Sequence, residues 1–296
     1  MADATREELE TVVYEKDGPI ARIILNDPAR ANAQSSAMVW DVEHCLVDAE
    51  HDYDVKVVVL KANGRGFCAG HAVMGPSGAA FPEFARAAEA GHPWQGQAEL
   101  FLWPVLHLWE FPKPTLSAVH GYAIGGGTYF ALLPDIVIAS DDAYFQMPLV
   151  QGMGFPGGET MVEPWIFMNF HRAYEYLYLA QTIGAEDARA MGMVNRVVPR
   201  DDLEDTAELI ARQIAQAPLS TLMATKALVK QAWETMGMRT HMQSSTYTMQ
   251  LVTRAGDVTA WRGENQERGI QGGPRQVAEQ RFAAVAAELA RERDAR

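Results

Sequence analysis

The sequence is short of cysteine, of positive charge and of long apolar runs, and each shortage removes a class of function. Two cysteines among 296 residues, Cys45 and Cys68, cannot build a disulfide framework and fit a reducing compartment. They support no metal site either, and none is expected. Lys and Arg number 25 against 38 Asp and Glu, a net charge of -13. The clustered cations that release counterions from a nucleic acid are therefore missing, and no nucleic-acid partner is expected. No apolar stretch approaches the roughly 20 residues of a membrane span, and the opening MADATREELE has neither the basic nor the apolar region of a signal peptide. A cytoplasmic protein without a membrane partner is the expectation. Walker A, GxSxG and HExxH patterns are absent, and the glycine runs lack the G-x-G-x-x-G spacing of a dinucleotide site.

What is present is ordinary globular composition, 48% hydrophobic and 21% charged, in a chain long enough for one large domain or a domain with an appended subdomain. Residues 11–25, TVVYEKDGPIARIIL, are two β-rich runs about Asp17-Gly18, a hairpin signal. From Ser35 onward Met38, Val42, Cys45, Leu46 and Ala49 recur at helical spacing, with Ser35 or Ser36 as the N-cap. Val55–Leu60 is a β-branched run of the kind buried on both faces of a sheet. Thr115–His120 and Asp135–Ser140 repeat the order of strand, glycine-rich turn and helix, which predicts an α/β fold with crossover helices.

Residues from about 75 to 100 are rich in Gly, Ala and Pro and carry Phe81, Phe84 and Trp94, which reads as a long lid-like loop with a short helix. Beyond Leu203 the spacing of Leu203, Ala207, Ile210 and Ile214, and later of Val277, Phe282, Val285 and Leu289, is helical. Gly256, Gly263, Gly269 and Gly272-Gly273-Pro274 are expected to interrupt this tail, leaving its last helix free to pack away from the core or onto a neighbouring subunit. The organisation expected is a core over 1–215 and a helical region over 216–296 that takes part in oligomer packing.

Two segments carry the chemistry: Gly66-Phe67-Cys68-Ala69-Gly70-His71 and Gly121-Tyr122-Ala123-Ile124-Gly125-Gly126-Gly127. Each follows a predicted strand. Glycines let a backbone approach a ligand closely, and Gly125–Gly127 ahead of TYFALL would put free N–H groups at a helix N-terminus, where an oxyanion is stabilised. Either segment alone also reads as a tight turn.

With these two segments, with Pro28-Ala29-Arg30-Ala31-Asn32-Ala33, with Pro134–Ala139 and with Ala185-Glu186-Asp187-Ala188 leading to Gly192-Met193-Val194, the chain resembles the crotonase, or enoyl-CoA hydratase/isomerase, superfamily from about Val12 to Ala232. The resemblance implies a spiral of ββα units with a C-terminal helical subdomain, trimers or dimers of trimers, and an acyl-CoA thioester as partner. No cofactor would be held permanently; coenzyme A would arrive as part of the substrate. It implies backbone N–H donors at His71 and Gly126 for the thioester oxygen, and substrate or CoA contacts at Arg30, Ala31, Ala33, Ala69, Ala72, Val73, Met74, Gly125, Tyr129 and Leu149. A carbonyl held this way acidifies its α-carbon, because the enolate oxygen is hydrogen-bonded as it forms.

The family's hydratases carry two glutamates where this chain has Tyr129 and Leu149. A phenol with an ordinary pKa near ~10 replaces a carboxylate poorly, and leucine moves no proton. Glu159, in Phe155-Pro156-Gly157-Gly158-Glu159-Thr160, is the candidate acid/base, against the simpler reading of a carboxylate at a helix N-terminus; Glu163, one turn on, is the weaker choice. The His71 imidazole takes a packing or a solvent-facing role. Cys68 reads as a packing residue, His120 as strand-end structure, and His44, Asp48 and His51 as a solvated helix face. His92, Trp94 and Glu99 are minor substrate-contact candidates. One carboxylate with an oxyanion hole favours double-bond isomerisation over two-acid hydration. The alternatives are a hydrolase that cleaves a C–C bond of a β-oxo acyl-CoA or diketone, and a non-catalytic acyl-CoA-binding protein.

Overall fold

In the computed structural model, residues 4–72, 81–158 and 160–294 are described. The strands are β1 Thr5–Glu8, β2 Val12–Asp17, β3 Ile20–Leu25, β4 Val57–Ala62, β5 Thr115–Val119, β6 Tyr122–Ile124, β7 Ile136–Ser140, β8 Tyr144–Gln146, β9 Thr182–Gly184 and β10 Arg196–Val198. A seven-stranded sheet runs β1-β2-β3-β4-β5-β7-β10, and a three-stranded sheet runs β6-β8-β9. β2 and β3 form the expected antiparallel hairpin, with Gly18 at a φ of 54° in its turn, and from β3 onward the large sheet is parallel.

The parallel strands are apolar because helices cover both faces. Against one face lies the helix Leu203–Ile214, whose Ala207, Ile210 and Ala211 pack on Val57, Val59, Leu116 and Ile138. Against the other lies the helix Ser36–His51, which buries Met38, Val42, Cys45, Leu46 and Ala49, the stripe expected from the spacing. Its N-cap is Ser35, whose side chain accepts from the N–H of Met38 at 3.3 Å. Burying side chains of the size of Met38, Val42 and Leu46 stabilises the fold by roughly 1.5–3 kcal/mol each before entropy is counted.

Two successive units show how the spiral is built. β5 and β6 precede the helix Gly127–Leu132, and β7 and β8 precede the helix Leu149–Met153. In each unit the first strand joins the large sheet and the second joins the small one. The second strands are only three residues long, so the glycine segment that contains β6 reads as a turn from sequence alone. The architecture is α/β, as the resemblance implied.

Two expectations need correction. The described part of the 75–100 segment is helical: Pro82–Glu89, Pro93–Gln97 and a π-helical turn at Ala98–Leu102 run into the helix Trp103–Glu110. Pro82 stands in the first turn of its helix, where its missing N–H costs nothing, so it starts a helix where composition reads as loop. In the tail, Gly263 does not interrupt anything; it lies inside the helix Gly256–Glu267. The last helix, Pro274–Asp294, packs back onto the Leu149–Met153 helix of the same chain. Val277 and Ala278 are buried there, whereas Phe282 and Val285 of the expected stripe are exposed. Among the described residues no helix is long and apolar enough to cross a membrane.

Candidate active site

The first glycine segment leaves β4 and the second leaves β5, neighbouring parallel strands, so both turn out at the same end of the sheet. A single β-bridge ties them together, Cys68 with Ala123, and a second joins His71 to Gln34 just ahead of the helix Ser36–His51. The close approach depends on Gly70, at a φ of +87°, where a Cβ would run into the carbonyl oxygen of Ile124 and lie 3.2 Å from the nitrogen of Gly126. Gly126 is equally confined. A Cβ there would overlap Oε1 of Gln34 and Nε2 of His71. The two glycine segments are thus brought together by contacts that no larger residue allows.

His71 and Gly126 line a cavity of about 1010 Å³. Arg30, Ala33, Ala69, Ala72, Gly125, Tyr129 and Leu149 line it too. Ala31 does not; at a φ of 58° its carbonyl instead accepts from the N–H of Ala69 at 3.1 Å, which fixes the wall from behind. Val73 and Met74 lie outside the described residues, as does Glu159. Among the described residues no backbone carbonyl accepts from the N–H of His71 or of Gly126. Gln34 holds the second glycine segment by donating from Nε2 to the carbonyl of Gly126 at 3.3 Å.

The imidazole of His71 takes the packing role. It stands 3.9 Å from the ring of Phe101, its Nδ1 is buried without a partner among the described residues, and burial depresses its pKa to about 3. Cys68 is buried behind the loop, accepts from the N–H of Gly70 at 3.4 Å through Sγ, and has its thiol pushed up to about 12 by burial. Such a thiol is no nucleophile at neutral pH. His120 donates from Nε2 to the carbonyl of Gly64, 3.2 Å away, at the end of β5. Asp48 pairs with Lys16 and His44 with Glu7, and among the described residues no three His, Cys, Asp or Glu side chains gather as metal ligands would.

The described part of the 75–100 segment contributes Pro82, Phe84 and Gln97 to the cavity, with Phe101 just beyond it, rather than the expected His92, Trp94 and Glu99. Glu99 is turned to Arg86 at 3.0 Å and Gln95 at 3.1 Å. The C-terminal helix supplies Pro274, Arg275 and Gln276, which no sequence signal placed here. Arg30 and Arg275 are the cations on a wall that also carries Glu10.

The helix expected to open near Glu159 begins instead at Glu163. Glu163 is buried, only 2% exposed, and its Oε1 accepts from the hydroxyl of Tyr129 at 3.4 Å. Loss of solvent raises its carboxyl to about 7. Sequence reasoning places Glu163 below Glu159, because nothing local to it signals its contact with Tyr129. A second cavity of about 770 Å³, between Trp109, Trp165, Trp233 and Lys226, contains none of the expected residues.

Comparison with known proteins agrees with this architecture. The model of the enoyl-CoA hydratase/isomerase family matches residues 15–256. A putative enoyl-CoA hydratase of Mycobacterium tuberculosis, EchA13, is 31% identical over 244 residues, covering 78% of this chain and 76% of the relative. Among solved structures, a probable enoyl-CoA hydratase from Mycobacterium smegmatis superposes with a TM-score of 0.75 at 33% identity, covering 82% of this chain and 94% of the other. An enoyl-CoA hydratase/isomerase from Xanthobacter autotrophicus Py2 gives 0.77 at 29% identity, over 94% and 99%. The chain belongs to the enoyl-CoA hydratase/isomerase family and has the crotonase fold.

Proposed function

We propose that this chain is an acyl-CoA enzyme that holds the thioester oxygen between the backbone N–H groups of His71 and Gly126 and moves a proton on the enolate so stabilised. The observation that carries this reading is the junction at Gly70. Two segments remote in sequence meet there at the wall of one cavity, and among the described residues neither N–H is taken by a backbone carbonyl. The cavity is large enough for a drug-sized acyl-thioester end, and Arg30 and Arg275 offer positive charge to CoA phosphates against the acidic background of the chain. Double-bond isomerisation of an enoyl-CoA fits better than two-acid hydration, because Tyr129 and Leu149 stand where the family's two glutamates would be.

The test is incubation of the purified protein with 2-enoyl- and 3-enoyl-CoA thioesters, with products read by mass spectrometry and NMR. A positional isomer, or addition of water, is the expected result. Cleavage of a β-oxo acyl chain would favour the hydrolase reading instead. Tight binding without turnover across the panel would make the chain a non-catalytic acyl-CoA binder.

A further inference from the structure

Tyr129 occupies a position at which a hydratase of this family carries a carboxylate, yet the structure does not leave the region without one. Tyr129 lines the cavity, and its hydroxyl lies against Gly158, another lining residue; any Cβ on Gly158 would overlap that hydroxyl. From there the hydroxyl reaches Oε1 of Glu163 at 3.4 Å. Glu163 does not itself line the cavity; it stands one residue's depth behind the wall. Its Oε2 is buried with no partner among the described residues, as is the hydroxyl of Tyr176 beside it. Tyr129 and Tyr176 are the titratable groups that face Glu163 among the described residues, and no cation offsets its charge there. A buried carboxylate with neither cation nor full hydrogen bonding is costly as structure alone.

We propose that Tyr129 is a catalytic residue of this site, with the phenol as the group that touches the substrate and Glu163 acting through it as the proton store. This rests on the acyl-CoA reading above. In the forward step the phenol oxygen takes the α-proton of the thioester while its own proton passes to the Glu163 carboxylate. The C–H pair moves into the enolate, one O–H bond breaks and one forms at Tyr129, and the net change at the protein is one proton gained by Glu163. Return of that proton through Tyr129 to the γ-carbon of a dienolate restores the carboxylate and leaves the double bond shifted. No oxidant or second acid enters the balance. Glu163 is a positioning residue in this scheme, since it reaches the reacting carbon only through the phenol.

The experiment is α-proton exchange of butyryl-CoA in deuterated water, followed by NMR, beside calorimetric binding of the same thioester and circular dichroism of each variant. Tyr129→Phe, which keeps the ring, is expected to bind within a few-fold of the parent and to lose 100-fold or more of the exchange rate, in the range of ~10²–10⁴ for general acid–base catalysis. The parent rate is expected to rise with pH across neutrality, and Glu163→Gln to remove that rise while Glu163→Asp restores part of it. Parent-like exchange in Tyr129→Phe would overturn the relay and leave the acyl-CoA reading standing. So would a Glu163→Gln pH profile identical to the parent's, or loss confined to Glu159→Gln. Absence of both binding and exchange in the parent would instead defeat the acyl-CoA reading, and the relay with it.

Discussion

The ring of His71 stands 3.9 Å from that of Phe101, and this contact makes the first proposed oxyanion donor dependent on the helical segment Ala98–Leu102. Phe101 packs in turn on Phe81 and Phe84, so a small aromatic cluster holds the residue whose backbone N–H is proposed to bind the thioester oxygen. Side chain and backbone can therefore be tested apart. His71→Pro removes the N–H and is expected to lower turnover by about 10²–10³, the effect of losing one oxyanion donor. His71→Ala keeps the N–H and should lose much less. Equal losses in steady-state kinetics would show that the imidazole, not the N–H, carries the effect.

The same burial makes a spectroscopic prediction. The imidazole's pKa is depressed to about 3 by burial, below its ordinary value of 6.5, so the ring stays neutral in the folded chain at neutral and mildly acidic pH. Its contribution to stability is present above the unfolded value and is lost as pH falls towards the folded one. Nitrogen-15 NMR of the ring is expected to show a neutral tautomer throughout mildly acidic conditions. A titration near the ordinary value would mean that His71 is solvated and that its contact with Phe101 is not maintained.

Glu163 works in the opposite direction. Burial raises its carboxyl from 4.5 to about 7, so the folded chain retains a proton that the unfolded chain has released. Stability from this group is complete below the unfolded value and falls as pH rises through the folded one, by on the order of 3 kcal/mol across the window. Glu163→Gln is neutral at every pH and escapes the loss. Its unfolding free energy relative to the parent should therefore increase between about pH 5 and about pH 8, measured by urea denaturation. A difference that does not change with pH would show that Glu163 is ionised throughout and solvated.

The sheet and the first helix were legible because their signals are local. The β-branched run before Leu60 and the spacing of Met38, Val42 and Cys45 each report burial within one element. The glycine segments were legible as a pair only through their resemblance to a family, since nothing local says that Gly70 must meet Gly126 across the gap between two strands. Glu163 was ranked low for the same reason. Its depth depends on Tyr129, which is 34 positions earlier, and on Tyr176, on another helix. The helices after Pro82 were hidden by composition, because a proline that starts a helix and one that breaks it look alike in sequence.

The return of the tail was the least legible feature, and it turns on one glycine. Gly152 lies in the short helix beside Leu149, and a Cβ there would collide with the carbonyl oxygen of Pro274 at the start of the last helix. Arg262 reinforces the seam by donating from Nε to the carbonyl of Met153 at 3.0 Å. Gly152→Ala therefore has to displace Pro274, with Arg275 and Gln276 beside it, from the cavity wall. Overpacking of this kind costs about 1–3 kcal/mol, enough to loosen one docked helix without unfolding the sheet. Faster hydrogen exchange is expected at the amides of Val277 and Ala278, with a raised KM for acyl-CoA and little change in kcat. Unaltered exchange together with unaltered KM would show that the tail does not shape the cavity in solution.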